Sequence, residues 1–468
     1  MRLPKIILTF VEKLQRDLTL LASPTASSDV HLRALGYAYG LGGLLSTIPD
    51  RPLYVSYDIS AKVLDMAIQV LKRAGEHDLQ VAAVEVEVSW TLISSLMTLG
   101  PNFVQTYLPQ LLVLWRNALP KPTSKDTTNA SGRNPLEWSF LLHVRESALS
   151  AVLCFLRHNS PVLVSLDVAR RLSSLLNNAL QFTVAFLGQA TDEQLDQPVA
   201  SRDRVGLTLR TRESLLRRRI YQCFSSIGFT GITEATQASL LQSTITLFAS
   251  ADGYAGSPVQ AAIASSTGSF NSIWQSTDGY AYGLAYSDTQ IEGGEFADKK
   301  SSNQDAIESY FDELVRSIAA PHLSIIDEAP RKLARPILGS CEHDPLTLWD
   351  SRPSSAHKTW PLPPPPITSV VDHAIQLFSL LLPIQDQESA ARAVKELVDS
   401  TRSPRLDRNA GRRAAVLINA NVALCMALRA ATINARQGKE ALGNPKVTGT
   451  LSGFLKVRRL ITVESILH

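Results

Sequence analysis

The sequence predicts an all-α protein, a solenoid of antiparallel helix pairs interrupted by one long insertion. Three observations carry this reading. Apolar residues recur at helical spacing along most of the chain, no run shows the strict alternation of a half-buried strand, and several helices are apolar on more than one side. A helix buried on two sides needs neighbours on two sides, which a stack of helix pairs supplies.

Residues 1–22 read as an amphipathic helix and not a signal peptide, because Lys5, Glu12, Lys13, Arg16 and Asp17 interrupt the apolar residues at helical spacing. A second stripe, Ile59, Val63, Met66, Val70 and Leu71, closes at Gly75. From Leu79 the apolar positions Ala83, Val86, Trp90, Ile93 and Met97 follow in steps of four and three, one face of a helix. Gly100 followed by Pro101 is a stop signal, after which Val104, Leu108, Leu111, Trp115 and Ala118 repeat the spacing. These two helices read as a pair, with Trp90 and Trp115 buried in one layer between them. Further stripes cover 141–156, 168–186, 209–227 and 235–248. Helices resume at Ile307, Phe311, Leu314 and Ile318, then over 370–382, 390–398, 412–433 and 454–467.

Three segments break the pattern. Residues 120–135 and 189–206 are polar loops. Residues 249–303, rich in Gly, Ser, Ala, Asp and Tyr, read as a low-complexity, mostly disordered insertion. The expected organisation is a helical repeat array over 1–248, the insertion over 249–303, and a continuation over 304–468 with a proline-rich connector near 360–366. Repeats are faint. Arg145-Glu146-Ser147-Ala148-Leu149 is echoed by Arg212-Glu213-Ser214-Leu215-Leu216, and Cys-Phe follows each, at Cys154-Phe155 and Cys223-Phe224. Units of the HEAT type are ~40–47 residues long and degenerate, so faint echoes are what a HEAT-like α-solenoid would leave.

Composition narrows the function classes. With 45% hydrophobic residues the chain can bury a core. Its 46 basic and 43 acidic side chains leave a net charge of +3, no global field for nucleic acid or an anionic membrane. Cys154, Cys223, Cys341 and Cys425 are far apart and form no CxxC, so a disulfide framework is not expected and a reducing, cytoplasmic setting is. No stretch reaches the ~18 consecutive apolar residues that span a bilayer.

The chemistry-bearing motifs are missing from the sequence: GxxxxGK[ST], HExxH and GxSxG do not occur. Gly36, Gly40, Gly42 and Gly43 do not complete GxGxxG, follow a helical pattern, and read as a site of close helix packing or a bend. Cys341, Glu342, His343 and Asp344 could each ligate a metal, but neighbours on one turn rarely converge on an ion, so they read as a polar turn. Arg217, Arg218 and Arg219, after Arg210 and Arg212, have only Tyr221 as a nearby aromatic. They read as a solvated helix face, an acidic peptide or lipid headgroup being the alternative. The basic run from Arg402 to Arg413 reads as a loop and a helix start. The prolines 363–366 form a polyproline II spacer that an SH3 or WW groove could also accept. The sequon Asn129-Ala130-Ser131 has no meaning without secretion. Tyr254, Tyr280, Tyr282 and Tyr286 are either recognition points or spacer. No catalytic, cofactor-binding or metal residue is assigned. The chain is expected to be no enzyme and to need no cofactor, and its binding surface is not localised.

Two stretches, Leu99-Gly100-Pro101-Asn102-Phe103-Val104 and Tyr107-Leu108-Pro109-Gln110-Leu111-Leu112-Val113-Leu114-Trp115-Arg116-Asn117, resemble the HEAT-repeat-containing protein five family. Its yeast member is called the large accessory protein of the Golgi–endosome clathrin adaptor. The helix from His143 through Val144, Arg145, Glu146, Ser147 and Ala148 to Leu149 fits the same family. So do Glu342-His343-Asp344-Pro345 and, beyond the prolines, Val370-Val371-Asp372-His373-Ala374-Ile375. The resemblance covers residues 34–382, is strongest over 99–117 and weak in the insertion. These are packing motifs, so no site residue carries over. What the resemblance implies is a cytosolic scaffold, recruited peripherally through its partners to trans-Golgi and endosomal vesicles. There it binds the clathrin adaptor complex or its accessory subunits in retrograde endosome-to-Golgi transport. Family members are far longer, so the chain is expected to be a fragment or one segment of a larger array. The rival reading is a helical-repeat carrier such as a nuclear transport receptor, a class that tends to be strongly acidic.

Overall fold

A computed structural model describes residues 3–23, 29–50, 57–122, 133–190, 194–195, 199, 208–229, 231–249, 366–408, 410–433 and 442–454. The described elements are helical and form two compact units that meet in sequence between Ile232 and Thr233.

The first unit holds eight described helices: α1 (Leu3–Leu21), α2 (Asp29–Ser46), α3 (Tyr57–Arg73), α4 (Leu79–Met97), α5 (Pro101–Ala118), α6 (Pro135–Leu163), α7 (Leu166–Leu187) and α8 (Leu209–Ile227). Local signals set their ends. Asp78 accepts hydrogen bonds from the backbone N–H groups of Gln80 and Val81 at the start of α4. Asn134 and Glu137 form a reciprocal capping box on α6, and Ser165 caps α7. Gly100 takes φ +87, the left-handed region that a side chain disfavours, and Pro101 opens α5 behind it.

Alternate helices pack into a row: α2 against α4, α4 against α6, α6 against α8. Contacts along the row give its direction. His143 and Asn159 of α6 meet Ala83 and Met97 of α4 in the same order, so these helices run parallel. Arg212, Arg219 and Cys223 of α8 meet His143, Glu146 and Leu149 of α6, again in the same order. The odd-numbered helices flank this row, α1 on α2, α3 on α4, α5 on α6 and α7 on α8. Within the first pair, Arg33 meets Asp17 while Tyr37 meets Phe10, which makes α1 and α2 antiparallel. The flanking helices touch one another as well. Tyr57 of α3 lies 5.6 Å from Phe103 of α5, and Asn178 of α7 donates to the Leu119 carbonyl that ends α5.

The pairing differs from the sequence reading in one respect. Helices α4 and α5 are joined through Gly100, yet α4 pairs with α3 while α5 lays Phe103, Val104, Leu111 and Trp115 towards its own neighbours, chiefly α6. The reason is that α4 is apolar nearly all round and is enclosed by α2, α3 and α6, leaving α5 to the next pair. Trp90 and Trp115 are both buried as expected, and Trp115 packs on Phe155 of α6.

Of the four glycines in α2, Gly40 makes the close approach: a Cβ there would sit 2.7 Å from the Phe10 ring of α1, whereas Gly36 and Gly43 face open space. Gly40→Ala is therefore expected to lower stability by about 1 kcal/mol. Overpacking against Phe10 outweighs the helix-propensity gain of the alanine. Gly36→Ala, which meets nothing, should be neutral or stabilising. Urea denaturation of the two variants side by side checks the difference.

The second unit contains α9 (Glu234–Ala249), α10 (Pro366–Leu381), α11 (Gln387–Thr401) and α12 (Ala410–Ile433), followed by a short helix over 445–454. Helix α9 packs on α10, and the pair is antiparallel. Gln237 near the start of α9 accepts from Gln385 just past α10, while Phe248 at its end packs edge-on to Phe378. Helix α12 packs on α10 and α11, and α11 also lies against α9. Helices α9 and α10 are thus partners in space although residues 250–365 separate Ala249 from Pro366 in sequence. Ala249, the first residue of the expected insertion, is the buried last residue of α9. The remainder of the 249–303 insertion, the helix from Ile307, the Cys341–Asp344 group, Tyr254, Tyr280, Tyr282, Tyr286, the sequon at Asn129 and the prolines before Pro366 lie outside the described residues.

A recurring device closes helix ends in both units. Asn159 Nδ2 donates to the Met97 carbonyl at 2.9 Å, Asn178 to Leu119 at 3.3 Å and Asn419 to Phe248 at 3.1 Å. Each satisfies a carbonyl at the C-terminal end of a neighbouring helix, where no intrahelical donor remains.

Candidate functional site

A run of polar side chains crosses the α2–α4–α6–α8 row of the first unit. Periodicity places Tyr39 on α2, Glu87 on α4, His143 on α6 and Arg212 on α8 at half-buried positions. Tyr39 Oη donates to Glu87 Oε1 at 2.6 Å. The other Glu87 oxygen is 3.7 Å from His143 Nε2, which also lies 3.3 Å from the Ala83 carbonyl. His143 Nδ1 is 3.3 Å from Arg212 Nη1. Four consecutive helices of the row are thus joined by one chain of polar contacts.

Deeper between α6 and α8 lies a charged layer. Arg219 donates from Nε to Glu146 Oε1 at 3.0 Å and from Nη1 to Gln222 at 3.0 Å, while Ser150 donates to the same Glu146 oxygen. Arg217 donates to Glu213 at 2.7 Å and reaches Thr183 of α7 at 3.4 Å. Arg145 stacks on the Phe182 ring of α7, its guanidinium carbon 3.7 Å from the centroid, and donates to the Leu141 carbonyl. The solvated face expected for Arg217, Arg218 and Arg219 is overturned: the three are 6%, 2% and 1% exposed. The physical reason is that carboxylates arrive from the same helix, at Glu213, and from the neighbouring helix, at Glu146, so guanidinium groups can be buried in hydrogen-bonded pairs.

The electrostatics follow from burial and pairing. Burial pushes the Glu146 carboxyl up, but Arg219, His143 and Arg218 outweigh it and hold it below the ordinary carboxylate range. Burial, then Arg218, pull the Arg219 guanidinium down to about 10 despite Glu146. Burial also works against the Arg217 charge, and the Glu213 carboxylate outweighs it and holds that group protonated. The Cys154 and Cys223 thiols are pushed up to about 12 by burial, so neither is a nucleophile at neutral pH. Both are free thiols at buried positions, as the sequence leads one to expect.

The two repeat echoes lie side by side. Arg145–Leu149 and Arg212–Leu216 occupy parallel, touching helices, with Leu149, Leu216, Phe155 and Phe224 all buried. The described resemblance stretches fall on the turn after α4 and on α5, on α6, and on α10, where Val370, Val371, Ala374 and Ile375 are core residues. The basic run has its expected form: Arg402 ends α11 and Arg405 sits in a short 3-10 turn before α12, both exposed. Among the described residues no three His, Cys, Asp or Glu side chains converge where a metal could sit. Helix α4 and the Pro135–Ser160 part of α6 are long and apolar enough to cross a bilayer by length and composition, but 72% of each apolar window is buried against other helices, as in a protein core.

These features define an all-α protein of packed helix pairs, with polar contacts bridging an apolar helix row. No family model matches the chain, and no solved structure matches it.

Proposed function

We propose that the chain is a HEAT-type helical-repeat scaffold that binds protein partners without turning over a substrate. The observation that carries this reading is the packing order of the first unit. The α1–α2 pair is antiparallel, α4, α6 and α8 run parallel in one row, and the odd-numbered helices flank that row, the order expected of stacked helix pairs. Such an array offers a long ordered surface, and its polar side chains are spent on joining helices.

The partner is the clathrin-adaptor machinery of the trans-Golgi network and endosomes, either the adaptor complex or its accessory subunits. The support for this finer reading is the resemblance over residues 99–117, which covers the α4–α5 junction and α5, over the middle of α6 and over the first half of α10. Co-precipitation from cell extract tests it, using the full chain and a variant lacking residues 251–303, which leaves buried Ala249 in place. Adaptor or accessory subunits are expected with both. If neither retains any, the trafficking assignment fails. Recovery of importin cargo or Ran instead would favour a nuclear transport carrier.

A further inference from the structure

We propose that His143 is a proton-operated latch in the helix row: in its neutral form it ties Arg212 of α8 to α6, and on acidification it releases that arginine and loosens the α6–α8 contact at that end.

The geometry assigns the tautomer. His143 Nε2 lies 3.3 Å from the Ala83 carbonyl, which can only accept, so Nε2 carries the hydrogen. Nδ1 lies 3.3 Å from Arg212 Nη1, which can only donate, so Nδ1 must present its lone pair. The neutral Nε2–H imidazole therefore satisfies both neighbours at once. A proton added to Nδ1 would replace that lone pair with an N–H aimed at a guanidinium N–H. One hydrogen bond is lost and two like charges are brought together.

The groups acting on the ring come from each side. Helix α4 contributes Glu87 at 3.7 Å and the Ala83 carbonyl, helix α8 contributes Arg212, and α6 itself contributes Glu146 one turn on. Tyr39 of α2 already donates to Glu87, which draws part of that carboxylate's charge away from the imidazole. Burial of the ring comes first and Arg212 second in holding His143 below the ordinary histidine range, and both outweigh the attraction of Glu87 and Glu146. The ring keeps 12% exposure, so a proton can reach it.

The sign of the linkage is definite. A histidine whose affinity for a proton is lower when folded than when unfolded contributes stability that is fully present above about pH 6.5, the ordinary value. That contribution is lost as the pH falls through the folded value.

The test is a histidine-selective 13C NMR titration of the full chain, with the His143 resonance assigned by its disappearance in His143→Gln. The wild-type midpoint is expected below the ordinary histidine value. In Arg212→Gln, which keeps a hydrogen-bonding side chain but removes the like charge, the midpoint is expected to rise towards that value. Urea denaturation between pH 8 and pH 5 should show the wild type losing stability more steeply than His143→Gln. A wild-type midpoint at or above the ordinary value overturns the latch. So does a midpoint that Arg212→Gln leaves unmoved, since burial alone would then set it. If His143→Gln folds poorly, urea denaturation of Arg212→Gln over the same pH range replaces it: a loss of stability as steep as the wild type's overturns the latch, a shallower one supports it.

Discussion

Glu146→Ala is expected to destabilise the first unit by about 3–5 kcal/mol, because it strips the carboxylate from a guanidinium that has no route to water. Arg219 is 1% exposed and donates to Glu146 at 3.0 Å, while Arg218 beside it adds a like charge. The loss should therefore reflect an uncompensated buried cation more than one missing hydrogen bond. The double variant Glu146→Ala with Arg219→Met separates the two. Removing both charges and filling the space with an apolar side chain should recover much of the stability, as replacement of buried pairs by hydrophobic residues often does. Urea denaturation followed by circular dichroism at pH 7 reads both. A single-variant loss under about 1 kcal/mol would mean that the Arg219–Glu146 pair is as cheap to break as a surface pair.

Trp115→Ala is expected to cost a similar ~3–5 kcal/mol, the usual range for a large aromatic truncated in a core. Trp115 is fully buried on α5, and its ring centroid is 5.4 Å from that of Phe155 on α6. This is a joint between one helix pair's outer and inner members, so the cavity opens inside a pair. In an array stabilised by nearest neighbours, damage there should fall on α5 and α6 first. Hydrogen exchange of the variant checks this: protection should drop most in α5 and α6 and least in α1 and α2. Uniform loss across the unit would show that the helices unfold as one cooperative block.

The helices themselves were legible because their signals are local. Gly100-Pro101, Asp78 and Asn134 act within one turn of chain, and the steps of four and three from Leu79 to Met97 mark a helix in which Val86, Trp90, Ile93 and Met97 are buried and Leu79 and Ala83 half-buried. The Arg145 and Arg212 echo was legible for the same reason, as two short strings on helices that face the same kind of neighbour.

The candidate site was not legible. Three successive arginines look solvated in sequence, since a cation is buried only when an anion comes to meet it. Glu213 lies one turn before Arg217 and could have been noticed as an i,i+4 partner. Glu146, however, is far from Arg219 in the chain, and nothing local announces it. His143 likewise reads as an ordinary residue on an apolar helix until α4 and α8 bring Glu87 and Arg212 to its two nitrogens.

By itself the sequence determined that the chain is helical, where most helices begin and end, and which faces are apolar. Hydrogen bonds, caps and periodicity act over a few residues and leave a direct trace in the order of side chains. The tertiary structure decided that α5 belongs with α6 and not with α4, that α10 pairs with α9, and that buried arginines and a histidine bridge the helix row. Those outcomes depend on which apolar faces meet and which opposite charges they carry inward, a matter of distances between residues tens of positions apart that no local pattern records.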